Sequence, residues 1–303
     1  MNLAIQPMIR PTMQAGRALW KMVRGKPVVF IDDPPQPGPR YGHGKPPHPA
    51  LLALIERGRD GYRKRLEGFL RLQEKLRRIP VHADRGRAYN TTPHWNNPWF
   101  PGLDAVALSG LIADAKPATY LEIGSGFSTL FARQAITDLG HTCQIISIDP
   151  EPRAAIDAVC DHIYRSPVES VGLEVFDSLQ PGDILFVDSS HRVFMNSDVE
   201  VIFLDVLPRL KPGVLVHFHD IWLPYDYPER WVDRYYSEQY MLAALLLFGD
   251  QYEIVLPNRF ITEDQELGDV LSPLWNSAEL ADAPTQGGSF WIRRKEVSRM
   301  QCR

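Results

Sequence analysis

The chain has little cysteine and no long apolar run. Cys143, Cys160 and Cys302 are its only cysteines among 303 residues, and none stands at C-x-x-C spacing. That excludes a disulfide framework and a cysteine-built zinc site, and it fits a reducing compartment. The longest apolar run covers residues 241–248, far too short to span a bilayer. The N-terminus lacks the continuous apolar core of a signal peptide, so the expected location is cytoplasmic, with no membrane span. Charge of one sign is scarce in each part of the chain. Residues 1–100 carry 18 Lys and Arg against 7 Asp and Glu, and the remainder 15 against 30, which leaves a net charge of -4. No aromatic-interleaved basic motif accompanies the basic part, so it is expected to dock on the acidic remainder or be solvated, and nucleic acid is not an expected partner.

What is present is ordinary globular material, 44% hydrophobic and 23% charged, enough for one large domain or two modest ones. Seven prolines with interleaved glycines fall within residues 34–49, which excludes helix and ladder strand and marks an arm or linker. From 49 to 79 apolar residues recur at helical spacing, with Arg and Lys opposite, and predict one or two amphipathic helices. The aromatic, amide-rich and proline-broken segment 90–101 predicts an ordered loop, either a packed connector or a wall facing a substrate.

After Gly102 the pattern alternates. Helices are predicted over 103–115, 128–137, near 153–159, and over 197–207; strands over 119–123, 144–148, 162–164, 183–187 and 214–218. Such alternation implies a parallel doubly wound sheet. The tail breaks the rhythm with a helix over 237–248, a strand over 252–256, a long polar loop and a strand over 289–293, which suggests an antiparallel pair at the sheet edge. The expected domains are a basic, Pro-rich arm (1–48), helices and aromatic loop (49–100), an α/β domain (101–296) and a tail (297–303).

Two sets of strand-end residues carry chemistry. The stretch Glu122-Ile123-Gly124-Ser125-Gly126-Phe127-Ser128-Thr129 joins a strand to a helix through a G-x-G turn, with Ser128 or Thr129 as N-cap. A dinucleotide fingerprint would want a third glycine where Thr129 stands, which disfavours an NAD-dependent oxidoreductase, the rival enzyme reading. The next strand ends at Asp149-Pro150, where a carboxylate can accept both hydroxyls of a ribose. The second set comprises Asp188 and His191 after the fourth strand and His219 and Asp220 after the fifth. In an open parallel sheet these tips converge on one crevice. Two carboxylates and an imidazole could hold a divalent cation, and a further imidazole could take a proton from a hydroxyl. His217, inside its strand, reads as a hydrogen-bonded core residue.

Together these motifs resemble the class I S-adenosylmethionine-dependent methyltransferases, with E-x-G-x-G as motif I. The D-x-x-H and H-D-I strand ends resemble their catechol-O-methyltransferase-like bacterial branch. The resemblance implies a Rossmann-like, doubly wound, mostly parallel seven-stranded sheet with an antiparallel last strand, here preceded by an N-terminal helical extension. It implies S-adenosylmethionine held by Glu122, Gly124, Ser125, Gly126, Ser128, Asp149, Pro150, Val168, Glu169 and Asp188. It further implies O-methylation of a small molecule or sugar, with His191 or His219 as base beside Asp188. Relatives in that branch hold magnesium, here expected, if at all, between Asp188, His219 and Asp220; His219-Asp220 departs from their acidic pair. A homo-oligomer and a non-catalytic cofactor-binding scaffold with a basic interaction surface are the remaining expectations.

Overall fold

The computed structural model describes residues 38–83 and 92–296, together with Gly16, Trp20 and Val23. The chain divides into two compact units, residues 1–37 and 38–303. Most of the expected arm, Asn90 and Thr91 of the aromatic loop, and the tail 297–303 lie outside the described residues. The second unit holds everything that follows.

Helix α1 (Pro49–Glu56) opens with proline in its first turn, where the missing N–H is no loss, and the His48 ring accepts from Leu51 N at 3.3 Å. Helix α2 (Arg59–Phe69) buries Tyr62, Leu66 and Phe69, one stripe at helical spacing. Its other end is fastened through Arg59, which forms a two-pronged ion pair with Asp264 at 2.7 and 2.8 Å. Phe69 packs against α3 (Gly102–Ala115) at Gly110, where any Cβ would fall inside the phenyl ring. Helix α3 is buried almost all round, because the N-terminal helices cover the side that does not face the sheet.

The sheet runs β3-β2-β1-β4-β5-β7-β6. Its strands are β1 (Thr119–Ile123), β2 (Gln144–Ile148), β3 (His162–Tyr164), β4 (Ile184–Val187), β5 (Leu215–Phe218), β6 (Tyr252–Pro257) and β7 (Phe290–Arg294). β1 to β5 are mutually parallel, and β7 is antiparallel to both neighbours. This is the expected doubly wound α/β sheet with a reversed last strand, although β7 inserts between β5 and β6 and so leaves β6, not β7, at the edge. The order reverses direction between β1 and β4, which opens a crevice at their C-terminal tips. The register brings Ile123, Val187 and Phe218 into one row, so the turns after β1, β4 and β5 leave the sheet at the same level.

Two buried carboxylates tie the frame. Asp183 accepts from Ala118 N, Thr119 N and Gln180 N, fixing the start of β1 to that of β4. Asp104, on α3, accepts from Gly288 N, Ser289 N and the Asn258 amide, and so fixes the approach to β7.

Three predicted elements differ. Residues 153–159 form bends and a turn, with Arg133 Nε donating to the Val159 carbonyl at 2.8 Å. The helix over 197–207 divides into an α-helical turn Asp198–Val201, a π-helix Ile202–Val206 and a 3-10 turn Leu207–Arg209. Pro208 has no N–H to give the Leu204 carbonyl, and the backbone widens ahead of it, with Leu207 N reaching back to Ile202 O. The long polar loop contains short helices, beginning with Asn258–Glu263, whose apolar residues (Phe260, Ile261, Leu267, Leu271, Leu274) are buried. Among the described residues no helix is long and apolar enough to cross a membrane.

Candidate functional site

The turn between β1 and α4 (Phe127–Leu139) is built from beneath. Gly124 has φ +80, and a Cβ there would fall on the Asp188 carbonyl oxygen, so only glycine lets the turn cross the tip of β4. Gly126 is open on the other side: a Cβ there would meet nothing nearer than the Arg153 Cβ at 3.8 Å. Glu122 has no exposed surface, and its oxygens accept from Ser128 Oγ at 2.5 Å and from Thr129 Oγ1. Burial pushes its carboxyl up to about 8, against the pull of those hydroxyls. Glu122 therefore holds the start of α4 to the end of β1 and does not line the crevice. Asp149, at the tip of β2, accepts from Ser125 N and from Glu151 N, both at 2.7 Å. It fixes the crest of the turn, and Ser125 Oγ meets Ser147 Oγ at 2.7 Å below it.

Above the turn lies a small cleft. Ser125, Gly126, Ser128, Asp188 and His219 line it, joined by Trp99 and Phe100 from the aromatic loop. Arg153 crosses its mouth: the guanidinium sits 4.6 Å from the centre of the Trp99 ring, with Nη1 3.5 Å from Asp188 Oδ2. The other expected cofactor residues lie outside this cleft. Pro150 is exposed, Val168 is packed in the core, and Glu169 is half-buried in the 3-10 turn after β3. Trp95 is likewise core, its indole N–H donating to Ile79 O, and among the described residues of that loop Trp99 and Phe100 reach the cleft.

At the tips of β4 and β5 the histidines take different roles. His191, at φ +62, is clamped by its ring: Nδ1 lies 2.7 Å from Glu238 Oε2 and Nε2 3.2 Å from Asp188 Oδ1. Glu238 opens helix α5 (Glu238–Phe248), is fully buried, and also accepts from Ser189 Oγ at 2.9 Å. Burial opposes charge on His191, but the hydrogen bonds to Asp188 and Glu238 overcome it and raise the imidazole well above its ordinary value. Burial likewise works to raise Asp188, yet the His191 hydrogen bond and the nearby imidazoles hold it well below the usual carboxylate range. The group is thus an imidazolium between carboxylates.

His219 is held differently. Its Nε2 lies 3.2 Å from the Trp99 carbonyl, which can only accept, so Nε2 carries the hydrogen. Nδ1 is then the lone-pair nitrogen, and it is buried with no partner. Burial lowers this imidazole, while Asp188, Asp220 and Asp104 raise it further, for a net shift above the usual histidine range. His217 is the core residue expected: fully buried, stacked on Phe186 at 3.6 Å, bonded to Ser289 Oγ at 2.7 Å, and lowered by burial.

The expected cation site does not fit the residues present. Between Asp188 and Asp220 stands the His191 ring, Nε2 at 3.2 and 3.8 Å from them, and His219 is turned to the Trp99 carbonyl. The imidazolium already supplies the positive charge a divalent ion would bring. Among the described residues no group of three or more His, Cys, Asp or Glu is placed to hold a metal.

Two contributors were not read from the sequence as site residues. Glu238 could have been noticed as an acid opening an otherwise apolar helix; Arg153 was placed on a helix that does not form.

An open α/β sheet with a glycine turn at the tip of β1 and a reversed last strand is a doubly wound fold whose strand tips form a crevice. Residues 121–221 match the family model described as methyltransferase domain. Among solved structures, the chain is similar to an S-adenosylhomocysteine-bound methyltransferase of Podospora anserina, at 15% identity and TM-score 0.38, covering 97% of this chain and 100% of that one. It is also similar to an O-methyltransferase of Streptomyces achromogenes involved in tomaymycin synthesis, at 15% identity and TM-score 0.35, covering 63% and 78%. A third is a plantazolicin methyltransferase, at 14% identity and TM-score 0.41, covering 82% and 95%. Likeness at this level carries no residue-level correspondence. A comparison with curated proteins returned no match.

Proposed function

We propose that the protein methylates a hydroxyl of a small molecule, with His219 as the base. The observation that carries this reading is the unpartnered Nδ1 of His219, whose ring lines the cleft over the glycine turn while its Nε2–H is engaged by Trp99 O. S-Adenosylmethionine, when bound, supplies an electrophilic methyl group. The chain's residues fit that cofactor: Gly126 leaves backbone bare toward the cleft, and ionised Asp188 offers a negative wall to an ammonium or sulfonium. Asp149 stands at the β2 tip for ribose hydroxyls, and Glu122 acts by holding the turn. The acceptor hydroxyl gives its proton to Nδ1 as its oxygen takes the methyl group. His191 positions Asp188 and Asp220 by its fixed charge, and, already protonated, it is no base.

The test is methyl transfer from isotope-labelled donor to hydroxyl acceptors. A base must be deprotonated, so kcat is expected to rise as pH climbs through the elevated His219 value. His219→Gln should lower kcat by about 10²–10⁴-fold and leave S-adenosylhomocysteine affinity unchanged. Retention of wild-type turnover in that variant would end the assignment.

A further inference from the structure

We infer that the acceptor carries an anionic group, received by Arg192 and Arg234; this rests on the function proposed above. The two guanidiniums converge on Tyr236, Arg192 at 5.3 Å and Arg234 at 5.4 Å from its ring centre. That ring lies 4.5 Å from the ring of His191, so both cations border the tips of β4 and β5. Neither holds a carboxylate as closely as Arg59, Arg133 and Arg209 do. Arg192 spends its donors on two backbone carbonyls, Arg234 O and Ser190 O, and has no carboxylate within ion-pair distance among the described residues. Arg234 stacks on Trp231, 4.2 Å from its ring centre, donates to the Tyr236 hydroxyl at 3.2 Å, and stands 3.9 Å from Asp220 Oδ2, too far for a hydrogen bond.

The contrast with other arginines is informative. Arg59, Arg133 and Arg209 hold carboxylates at 2.5–2.8 Å, and Arg259, which stacks on Trp222, is paired with Glu263. Arg192 without a carboxylate partner and Arg234 with only a long contact to Asp220, beside the tips of β4 and β5 and in a part of the chain carrying 30 acids against 15 bases, set a local field opposite to their surroundings. A carboxylate or phosphate is the chemistry a guanidinium fork receives. Beside them Tyr227, Trp231 and Tyr236 form an aromatic cluster, Tyr236 edge-on to the other two, which gives a ring an apolar border to pack against. The acceptor class is therefore a ring bearing both a hydroxyl and an acid group.

Binding separates this from turnover. Protein saturated with S-adenosylhomocysteine is titrated calorimetrically with matched pairs: 3,4-dihydroxybenzoate against catechol, phenyl phosphate against phenol, glucuronate against glucose. At least one anionic member should bind about tenfold tighter than its neutral partner, the gain expected of two partly exposed charge-assisted contacts. The preference should vanish in Arg192→Gln/Arg234→Gln, persist in the Arg→Lys pair, and fall with added salt. Unchanged S-adenosylhomocysteine affinity in both variants shows that they fold. No anionic preference in any pair, or a preference that survives the Gln variant, overturns the inference. Failure of methyl transfer with the binding preference intact would count against the hydroxyl-methylation reading alone.

Discussion

Glu238→Gln tests whether His191 is held as a cation. The carboxylate has no exposed surface and two bonds, to His191 Nδ1 at 2.7 Å and from Ser189 Oγ at 2.9 Å. Removing one partner of a buried ion pair outright costs about 3–5 kcal/mol. Glutamine keeps an oxygen for Ser189, and Asp188 still faces Nε2 at 3.2 Å. The loss should therefore be near that of one charge-assisted bond, about 2 kcal/mol at pH 6. The pH dependence carries the sign. The folded pKa of His191 lies above its unfolded value of about 6.5. Its contribution is complete below that unfolded value and fades as pH rises through the raised folded one. The gap between wild type and variant should thus be widest near pH 6 and shrink in alkaline buffer. Urea unfolding at several pH values, followed by far-UV circular dichroism, measures it. An equal gap at all pH values, or a loss under about 0.5 kcal/mol at pH 6, would refute the imidazolium assignment.

Gly124→Ala forces a side chain at φ +80 against the Asp188 carbonyl and should cost about 2–4 kcal/mol, from strain and overpacking together, read as a lowered melting temperature. Asp149→Ala frees the amides of Ser125 and Glu151 and loosens the turn crest, so S-adenosylhomocysteine should bind at least about tenfold more weakly by calorimetry; undiminished affinity would remove Asp149 from the site. Asp104→Ala strands two buried amides and the Asn258 side chain, with an expected loss of about 3 kcal/mol in chemical unfolding.

The sheet was legible because buried parallel strands leave short apolar runs, and all seven strands begin and end within a residue of their predicted ends. Local rules failed where a few residues decide. Pro208 spoils an α-helical pattern that periodicity alone favours, and residues 153–159, whose apolar residues sit at helical spacing, form bends and a turn instead. At the site, spacing disclosed which residues stand at strand tips but not which way they are spent. Glu122 reads as a free acid until the hydroxyls of Ser128 and Thr129, six and seven residues on, are seen to consume it. Likewise the difference between His191 and His219 depends on Glu238 and on the Trp99 carbonyl, partners 47 and 120 residues away that no local window contains.

The segment after β5 is moored from far upstream. Asp226 accepts from the amides of Arg40 and Tyr41, Pro224 O receives His48 N, and the His43 ring lies 5.5 Å from Trp222. Residues 38–48 thus shape the segment after β5, where, on the function proposed above, the acceptor rests, while the turn after β1 depends on residues 122–149. Exchange of the leading segment between related chains would retarget the enzyme without disturbing its grip on the methyl source, so selectivity can drift here independently of chemistry.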